Sequence, residues 1–232
     1  MTRLNKFLAA NRGVSRREAD RLIAEGKVRL NGGVVTDMGV QVGGDDFVEL
    51  EGRAVKASPF EYYKYHKPRC LLTAYGDGRG KETLESVPLL AEKKLAYSGR
   101  LDYDSEGLIL FTNDGDLILR LQKSLYKAEK EYIVWTERDL REDWLEHMRE
   151  GLSTEEGDYL PCEAEKLGRC HFRLVLTEGK KRQIRNMFRH FGVRVRRLMR
   201  VRIGNVTLEG LKAGEIKKLS EKEITELKKC TE

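Results

Sequence analysis

From Lys180 to Arg202 the chain carries ten basic residues and not one acid. Few folds can accept that stretch. Ile184, Met187, Phe188 and Phe191 recur at helical spacing, which predicts a helix over roughly 180–191 with Gly192 ending it. Val193-Arg194-Val195-Arg196 then alternates, so Val193–Ile203 is expected to return as a strand. Each element must lay its apolar side on a core and turn its cations outward. There they repel one another unless an anion lies against them.

The whole chain is only +6 at pH 7, so everything outside this stretch sums to −4. A second basic cluster lies in residues 1–30, where Arg3, Lys6, Arg12, Arg16, Arg17, Arg21, Lys27 and Arg29 face three acids. One charge run is usually a solvated helix face. Two patches, one of them free of acids over 23 residues, suit a polyanion that touches both. Nucleic acid is favoured over a membrane surface, because no stretch offers an apolar face anchored by Trp or Phe. Leu108–Phe111 and similar runs fall far short of the ~18 residues of a membrane span. Phe7–Ala10, after Arg3 and Lys6, is too short for a signal peptide. Cys70, Cys162, Cys170 and Cys230 sit far apart, with neither metal-ligand spacing nor a disulfide framework. The expectation is a soluble cytoplasmic protein with reduced thiols and no metal.

Along the chain, Leu4, Phe7 and Leu8 share one helical face before Gly13. Ser15 with Glu18 reads as a capping box for a second helix that buries Ala19, Leu22 and Ile23 and stops at Gly26. Arg17 and Arg21 lie on one exposed face, with Arg16 beside them. Val28–Leu30, a turn at Asn31-Gly32-Gly33 and Val34-Val35 read as a hairpin, and Phe47–Leu50 as a closing strand. Residues 1–51 thus form a small helix-helix-hairpin unit, 52–60 a linker and 61–232 a larger unit. In the latter, Glu61–His66, Leu108–Thr112, Lys130–Thr136 and His171–Thr177 read as strands, and Leu117–Leu121 starts a short helix. Strands outnumber helices in no regular alternation, which implies an α+β fold with a mainly antiparallel or mixed sheet flanked by helices. The loop Gly76-Asp77-Gly78-Arg79-Gly80 has the wrong spacing for a nucleotide cradle.

The richest segment for chemistry is Gly99-Arg100-Leu101-Asp102-Tyr103-Asp104-Ser105-Glu106-Gly107, directly before a buried strand. Alternate carboxylates invite a calcium loop, but Asn113 stands where the bidentate acid belongs and no helix precedes. Residues 99–115 resemble the signature of the rRNA pseudouridine synthases of the RsuA/RluB/RluF type. Lys67-Pro68, Lys130-Glu131-Tyr132-Ile133-Val134 and Glu178-Gly179-Lys180-Lys181-Arg182-Gln183-Ile184-Arg185 follow in that family's order. Residues 1–50 resemble the S-four RNA-binding domain that precedes the catalytic domain in these enzymes. Ser105 stands where the family often has Thr, and Lys180 and Asn186 where it often has Arg.

The resemblance implies that Asp102 is the catalytic aspartate, Tyr132 the active-site tyrosine, and Arg185 the arginine that pairs with that aspartate. The implied reaction isomerises uridine to pseudouridine in ribosomal RNA. It breaks a nitrogen–carbon glycosidic bond and rejoins the base through carbon, with no redox change and no cofactor. An ionised carboxylate can start it, a guanidinium can hold that carboxylate ionised, and an aromatic ring can receive the flipped base. Arg16, Arg17, Arg21, Lys27 and Arg29 of the first unit are expected on RNA phosphates, with Arg100, Lys180, Lys181, Arg182 and Arg189 around the site. Arg194, Arg196, Arg197 and Arg200 would extend that track. Lys-Glu-Tyr-Ile-Val and Arg-Gln-Ile-Arg look closer to the branch that modifies 23S rRNA than to the 16S branch. The substrate is then free RNA or a ribosome assembly intermediate, and the family suggests a monomer. Taken singly, Tyr132 reads as strand packing and Arg185 as a phosphate contact. A non-catalytic RNA-binding or ribosome-assembly protein and a DNA-binding regulator using the 180–191 helix are the competing readings.

Overall fold

A computed structural model describes residues 1–123, 125 and 128–231. At the N-terminus a two-residue strand, β1 (Thr2–Arg3), leads directly into α1 (Leu4–Arg12), and α2 (Arg16–Ala24) follows. The Ser15 hydroxyl accepts from the Glu18 amide at 3.0 Å. Only half of the expected capping box forms, because the Glu18 carboxylate instead accepts from the Arg21 guanidinium one turn along the same helix. The hairpin of β2 (Val28–Leu30) and β3 (Gly33–Val35) turns on Asn31 and Gly32, both at positive φ. After β4 (Gln41–Val42), which pairs with β1, the strand β5 (Val48–Leu50) joins β2.

The expected linker at 52–60 is shorter than its composition implies. Glu51 and Gly52 form another positive-φ turn, and β6 (Arg53–Val55) folds back antiparallel on β5. Val55 is buried with Leu4, Leu8, Ile23 and Val48 in the core of this unit. A short apolar alternation inside a Gly- and charge-rich stretch gave too little periodicity to read as a strand.

The larger unit is built on a nine-stranded sheet in the order β13-β14-β10-β15-β9-β7-β17. These strands are β7 (Tyr62–Lys67), β9 (Glu106–Thr112), β10 (Lys130–Thr136), β13 (Glu163–Gly168), β14 (His171–Leu176), β15 (Val195–Ile203) and β17 (Ile216–Lys218). Two further short strands complete it: β8 (Ala96–Tyr97) pairs with β9, and β16 (Val206–Thr207) with β15. The hairpin β11 (Leu152–Thr154) and β12 (Gly157–Tyr159) stands apart. All described pairings in the main sheet are antiparallel except β9 with β15, so the sheet is mixed.

Every residue of β9 is buried, which is why it reads as an unbroken apolar run. Ile109 and Phe111 face one core with Tyr132, Val134, Phe172 and Phe188. Leu108 and Leu110 face the other, beneath α4 (Gly115–Gln122) and α7 (Glu221–Lys229). The helices α3 (Pro88–Lys93), α5 (Glu142–Glu150) and α6 (Gln183–His190) add Leu90, Leu145, Met148, Ile184, Met187 and Phe188 to the first core. The β9–β15 contact is confined to Glu106–Met199 and Gly107–Arg200. A side chain at Gly107 would lie 2.2 Å from the Arg200 carbonyl oxygen, so only glycine lets these two backbones meet.

Candidate active site

The segment leading into β9 is a tight turn held from four directions. Its own closure is the Ser105 amide donating to the Asp102 carbonyl at 3.0 Å. The Thr73 hydroxyl donates to the Leu101 carbonyl at 2.8 Å, and the Cys70 amide to that of Tyr103 at 2.8 Å. Arg185 Nη2 reaches the Asp104 carbonyl at 3.2 Å, and Lys67 Nζ the Ser105 carbonyl at 2.7 Å. Five successive carbonyls, 101 to 105, therefore each accept a hydrogen bond, from Ser105 of the turn itself, from Lys67, Cys70 and Thr73, and from Arg185 of α6. Such a turn cannot drift without breaking several contacts at once. Asp102 sits on it with its side chain about one-third exposed.

Lys67 is the unusual brace. It ends β7 with no exposed surface and donates to the Pro68 and Ser105 carbonyls rather than to a carboxylate. Burial holds its pKa down to about 8, with Cys70, Asp104, Glu106 and Asp102 opposing that shift. Because the folded chain gives up this proton earlier than the unfolded one, Lys67 makes stability rise with pH between about 8 and 10.5. Lys67→Met removes that gain. Between pH 8 and 10 the unfolding free energy of the wild type should therefore improve on that of the variant by about 1–3 kcal/mol, measured by denaturant melts. A constant difference across that range would refute the assignment.

The arginines come from the turn before α6 and from α6 itself. Glu178, almost fully buried, accepts from the Leu160 amide at 2.9 Å and from Gln183 Nε2 at 2.8 Å, while Gln183 Oε1 accepts from the Lys180 amide at 3.0 Å. That network presents Arg182 in a left-handed conformation, φ +52, which costs a non-glycine residue about 1 kcal/mol. Its guanidinium lies 3.5 Å from an Asp102 oxygen and 3.6 Å from an Asp104 oxygen. One turn on, Arg185 donates to the Val195 carbonyl at 3.0 Å and to Ser105 Oγ at 3.1 Å. Its ion pair is with Asp104, at 3.1 Å, and not with Asp102 as the resemblance implied. Arg185 is nearly enclosed, with 9% of its side chain exposed, whereas the more exposed Arg182 places one nitrogen between the two aspartates. Burial lowers the Arg185 pKa, and Asp104 is the leading group that opposes this.

Tyr132, 8% exposed, lies on β10 opposite Arg200 of β15, which in turn neighbours Gly107 of β9. At about 4.8 Å per strand this places Tyr132 roughly 10 Å across the sheet from the end of the turn. Beside the turn opens a cleft of about 840 Å³ lined by Arg69, Arg182, Arg185, Arg189, Arg194 and Arg196, with Asp104 and Glu137 as its acids. Six guanidinia around one concavity make it a receptor for a phosphate backbone.

The other sequence-derived residues fall unevenly. Arg100 and Lys181 are exposed, as are Arg16, Arg17 and Arg29. Arg21 is held by Glu18 and Glu25, Lys27 by Glu25 and Glu51, Lys180 lies 3.5 Å from Glu178, and Arg189 pairs with Glu156. Arg200 does not belong to an RNA track: it is 2% exposed, and its Nε donates to the Leu108 carbonyl inside the sheet. A bulge between Val195 and Arg197, opposite Thr136 and Trp135, reverses the alternation of β15 and turns Arg200 inward. Arg197 points to the opposite face, against Glu106 and Trp135. Thr73, Asp104, Glu178 and Gln183 were not singled out from the sequence. The last three lay inside recognised motifs, but nothing local says which polar side chain is buried or what it meets. Among the described residues no group of His, Cys, Asp and Glu is placed to hold a metal ion.

A mixed sheet carrying an aspartate on a braced turn beside an arginine cleft, preceded by a small basic helix-hairpin unit, defines an RNA-modifying enzyme. Residues 61–190 match the RNA pseudouridylate synthase family and residues 2–48 the S4 domain. The chain belongs to the RNA pseudouridylate synthase family. It is 34% identical to the ribosomal large subunit pseudouridine synthase B of Bacillus subtilis, over 98% of this chain and 96% of that protein. It is 36% identical to the dual-specificity RNA pseudouridine synthase RluF of Escherichia coli strain K12, over 99% of this chain and 79% of that protein. A crystal structure of a pseudouridylate synthase superimposes with a TM-score of 0.70 at 30% identity, covering 98% of this chain and all of the other.

Proposed function

We propose that this chain isomerises one uridine of 23S rRNA to pseudouridine, with Asp102 as the catalytic aspartate. The observation that carries the reading is the braced turn. It holds two partly exposed carboxylates, Asp102 and Asp104, at a guanidinium-lined cleft, and five hydrogen-bonded carbonyls fix its position. In the reaction the bond from ribose C1′ to N1 of uracil breaks and a bond from C1′ to C5 forms. The proton on C5 leaves and N1 gains one, so nothing is added and no cofactor is called for. Asp102 starts the cleavage as a carboxylate, with the Arg182 guanidinium 3.5 Å from it. Tyr132 supplies the floor on which the flipped base rests, with its hydroxyl free of hydrogen bonds among the described residues and available to the C5 proton.

The S4 unit, residues 1–51, adds phosphate contacts through Arg16, Arg17 and Arg29, while Arg21 and Lys27 contribute once RNA competes with their glutamates. Residues 61–232 form the catalytic domain. Arg100, Lys180, Lys181, Arg182 and Arg189 line the approach. The large-subunit substrate is supported by the similarity to the large-subunit synthase of Bacillus subtilis and by the Lys-Glu-Tyr-Ile-Val and Arg-Gln-Ile-Arg motifs. The enzyme acts as a monomer in the cytoplasm, where rRNA is matured, on free 23S rRNA or on an assembly intermediate of the large subunit. No described helix is long and apolar enough to cross a membrane.

The test is pseudouridine mapping on unmodified 23S and 16S transcripts and on partly assembled subunits after incubation with the purified protein. One new pseudouridine in 23S rRNA is expected. A site in 16S rRNA would move the substrate to the small subunit, and silence on every substrate would remove the enzymatic reading.

A further inference from the structure

The six arginines of the cleft are not equally available. Arg182 and Arg185 meet the two aspartates of the turn, and Arg189 meets Glu156. Arg69, Arg194 and Arg196 have no ion pair among the described residues. Glu137, the remaining acid of the cleft, accepts from the backbone amide of Arg194 at 3.3 Å. Glu156 reaches in from outside. It sits at the tip of the β11–β12 hairpin, where Thr154 pairs with Gly157 and leaves Glu155 and Glu156 as the turn. The Glu156 amide donates to Thr154 Oγ1 at 3.2 Å, and that hydroxyl donates to the Gly157 carbonyl at 3.0 Å. The hairpin is seated on the α6 region: Asn186 Nδ2 donates to the Tyr159 hydroxyl at 3.1 Å, and Lys180 Nζ to the Asp158 carbonyl. Arg189 is aimed from its own helix, its Nη2 donating to Asn186 Oδ1 at 3.1 Å. Both partners are therefore held in place, yet 63% of the Arg189 side chain and 34% of the Glu156 side chain face solvent. We propose that Glu156 is a specificity-determining residue for the reaction: its carboxylate competes with RNA phosphate for Arg189, so RNA that fails to place a phosphate there is held only by the unpaired arginines.

A cleft of guanidinia grips any polyanion, and contacts to phosphate carry no sequence information of their own. Discrimination is a difference between affinities, and an acid that must be displaced subtracts from every ligand unable to displace it. The Arg189–Glu156 pair suits that use. An exposed ion pair is weak enough for a well-placed phosphate to open. The nearly enclosed Arg185, tied to Asp104 and to the Val195 and Asp104 carbonyls, is not open to such exchange. Glu155, the exposed neighbour at the tip, has no ion pair among the described residues, so it adds charge to the rim without occupying an arginine. The inference rests on the cleft being the path of the RNA, as the proposed function has it.

Anisotropy of a fluorescent oligoadenylate tests the competition without a modifiable uridine. Glu156→Gln should tighten binding about threefold to fivefold and steepen the fall of log affinity with log salt by about 0.7, the share of one added phosphate contact on a single strand. Glu155→Gln removes the same charge from the same turn and should change affinity by less than about 1.5-fold, with the salt slope unmoved. In an Arg189→Gln background, Glu156→Gln should gain nothing. On 23S transcripts, half-inhibition of isomerisation by oligoadenylate should come at a concentration about threefold to fivefold lower for Glu156→Gln than for wild type. Wild-type affinity in Glu156→Gln overturns the inference. So does an equal gain from Glu155→Gln, or a gain that survives the loss of Arg189, since either reports general charge and not a guarded arginine. Failure of the underlying reading looks different: an Arg194→Gln, Arg196→Gln double variant that binds RNA as tightly as wild type would remove the cleft as the RNA path, and the inference with it.

Discussion

Asp102→Asn is expected to lower the single-turnover rate of uridine isomerisation below about 10⁻⁴ of the wild-type value while leaving the fold and the RNA complex in place. The change keeps the side chain's size and removes its charge, so no neutral group in the cleft can replace the carboxylate that begins bond cleavage. The cost to stability is small. Asp102 makes one long ion pair with Arg182, and both side chains are more than a third exposed, so solvent already screens most of that attraction. RNA affinity should be unchanged or up to about threefold tighter, because one anion is removed from beside six cleft arginines that grip phosphate. Filter binding or fluorescence anisotropy at fixed salt checks the affinity, and pseudouridine mapping the rate. Loss of activity together with loss of binding would count against Asp102 as the reacting group, since it would then be holding the site rather than reacting in it.

Gly107→Ala should abolish folding of the catalytic domain, with a loss above about 4 kcal/mol. Gly107 adopts φ +114, and an added Cβ would lie 2.2, 2.6 and 2.9 Å from the carbonyl oxygen, nitrogen and carbonyl carbon of Arg200. Those are backbone atoms of a central strand. They cannot swing aside as a side chain would, and moving β15 would break its pairing with both β9 and β10. Gly99→Ala makes the comparison. Gly99 has φ +90 but nothing within 4 Å of the new Cβ, so only backbone strain of about 1–2 kcal/mol is added. Thermal melts of the two variants separate close approach from conformation. A Gly107→Ala protein melting within a few degrees of wild type would show that the two strands can part, and that the parallel contact is not what joins the halves of the sheet.

These expectations reach function through one path. Gly107 joins β9 to β15; the turn of Asp102 leads into β9, and Arg194 just before β15 and Arg196 at its start line the cleft. The pairing thus sets the distance between Asp102 and the arginines of the cleft. Lys67 and Arg185 work on the same turn from two other directions, through the Ser105 and Asp104 carbonyls. The candidate site is a stretch of backbone held still, with Asp102 and Asp104 both partly exposed on it.

Much of this was legible in the chain. The helices after Met1 and Ser15, the hairpin at Asn31-Gly32, the unbroken strand of β9 and the alternation of β10 and β15 all follow from spacings of two to four residues, and the structure has them. The long motif at 99–115 was enough to point to the family. The misses share one cause. Arg53–Val55 became a strand because β5 offers it an open edge, and Glu18 left its cap because Arg21 lies closer. Arg200, one cation among ten in its stretch, turned inward at a bulge that no periodicity announces. Local pattern, set by neighbours along the chain, determined the elements, the family and the reacting aspartate's motif. Only the tertiary structure decided which arginine meets which aspartate, because Asp104 and Arg185 are 81 residues apart and their approach depends on how three strands and a helix pack, not on either residue's sequence neighbours.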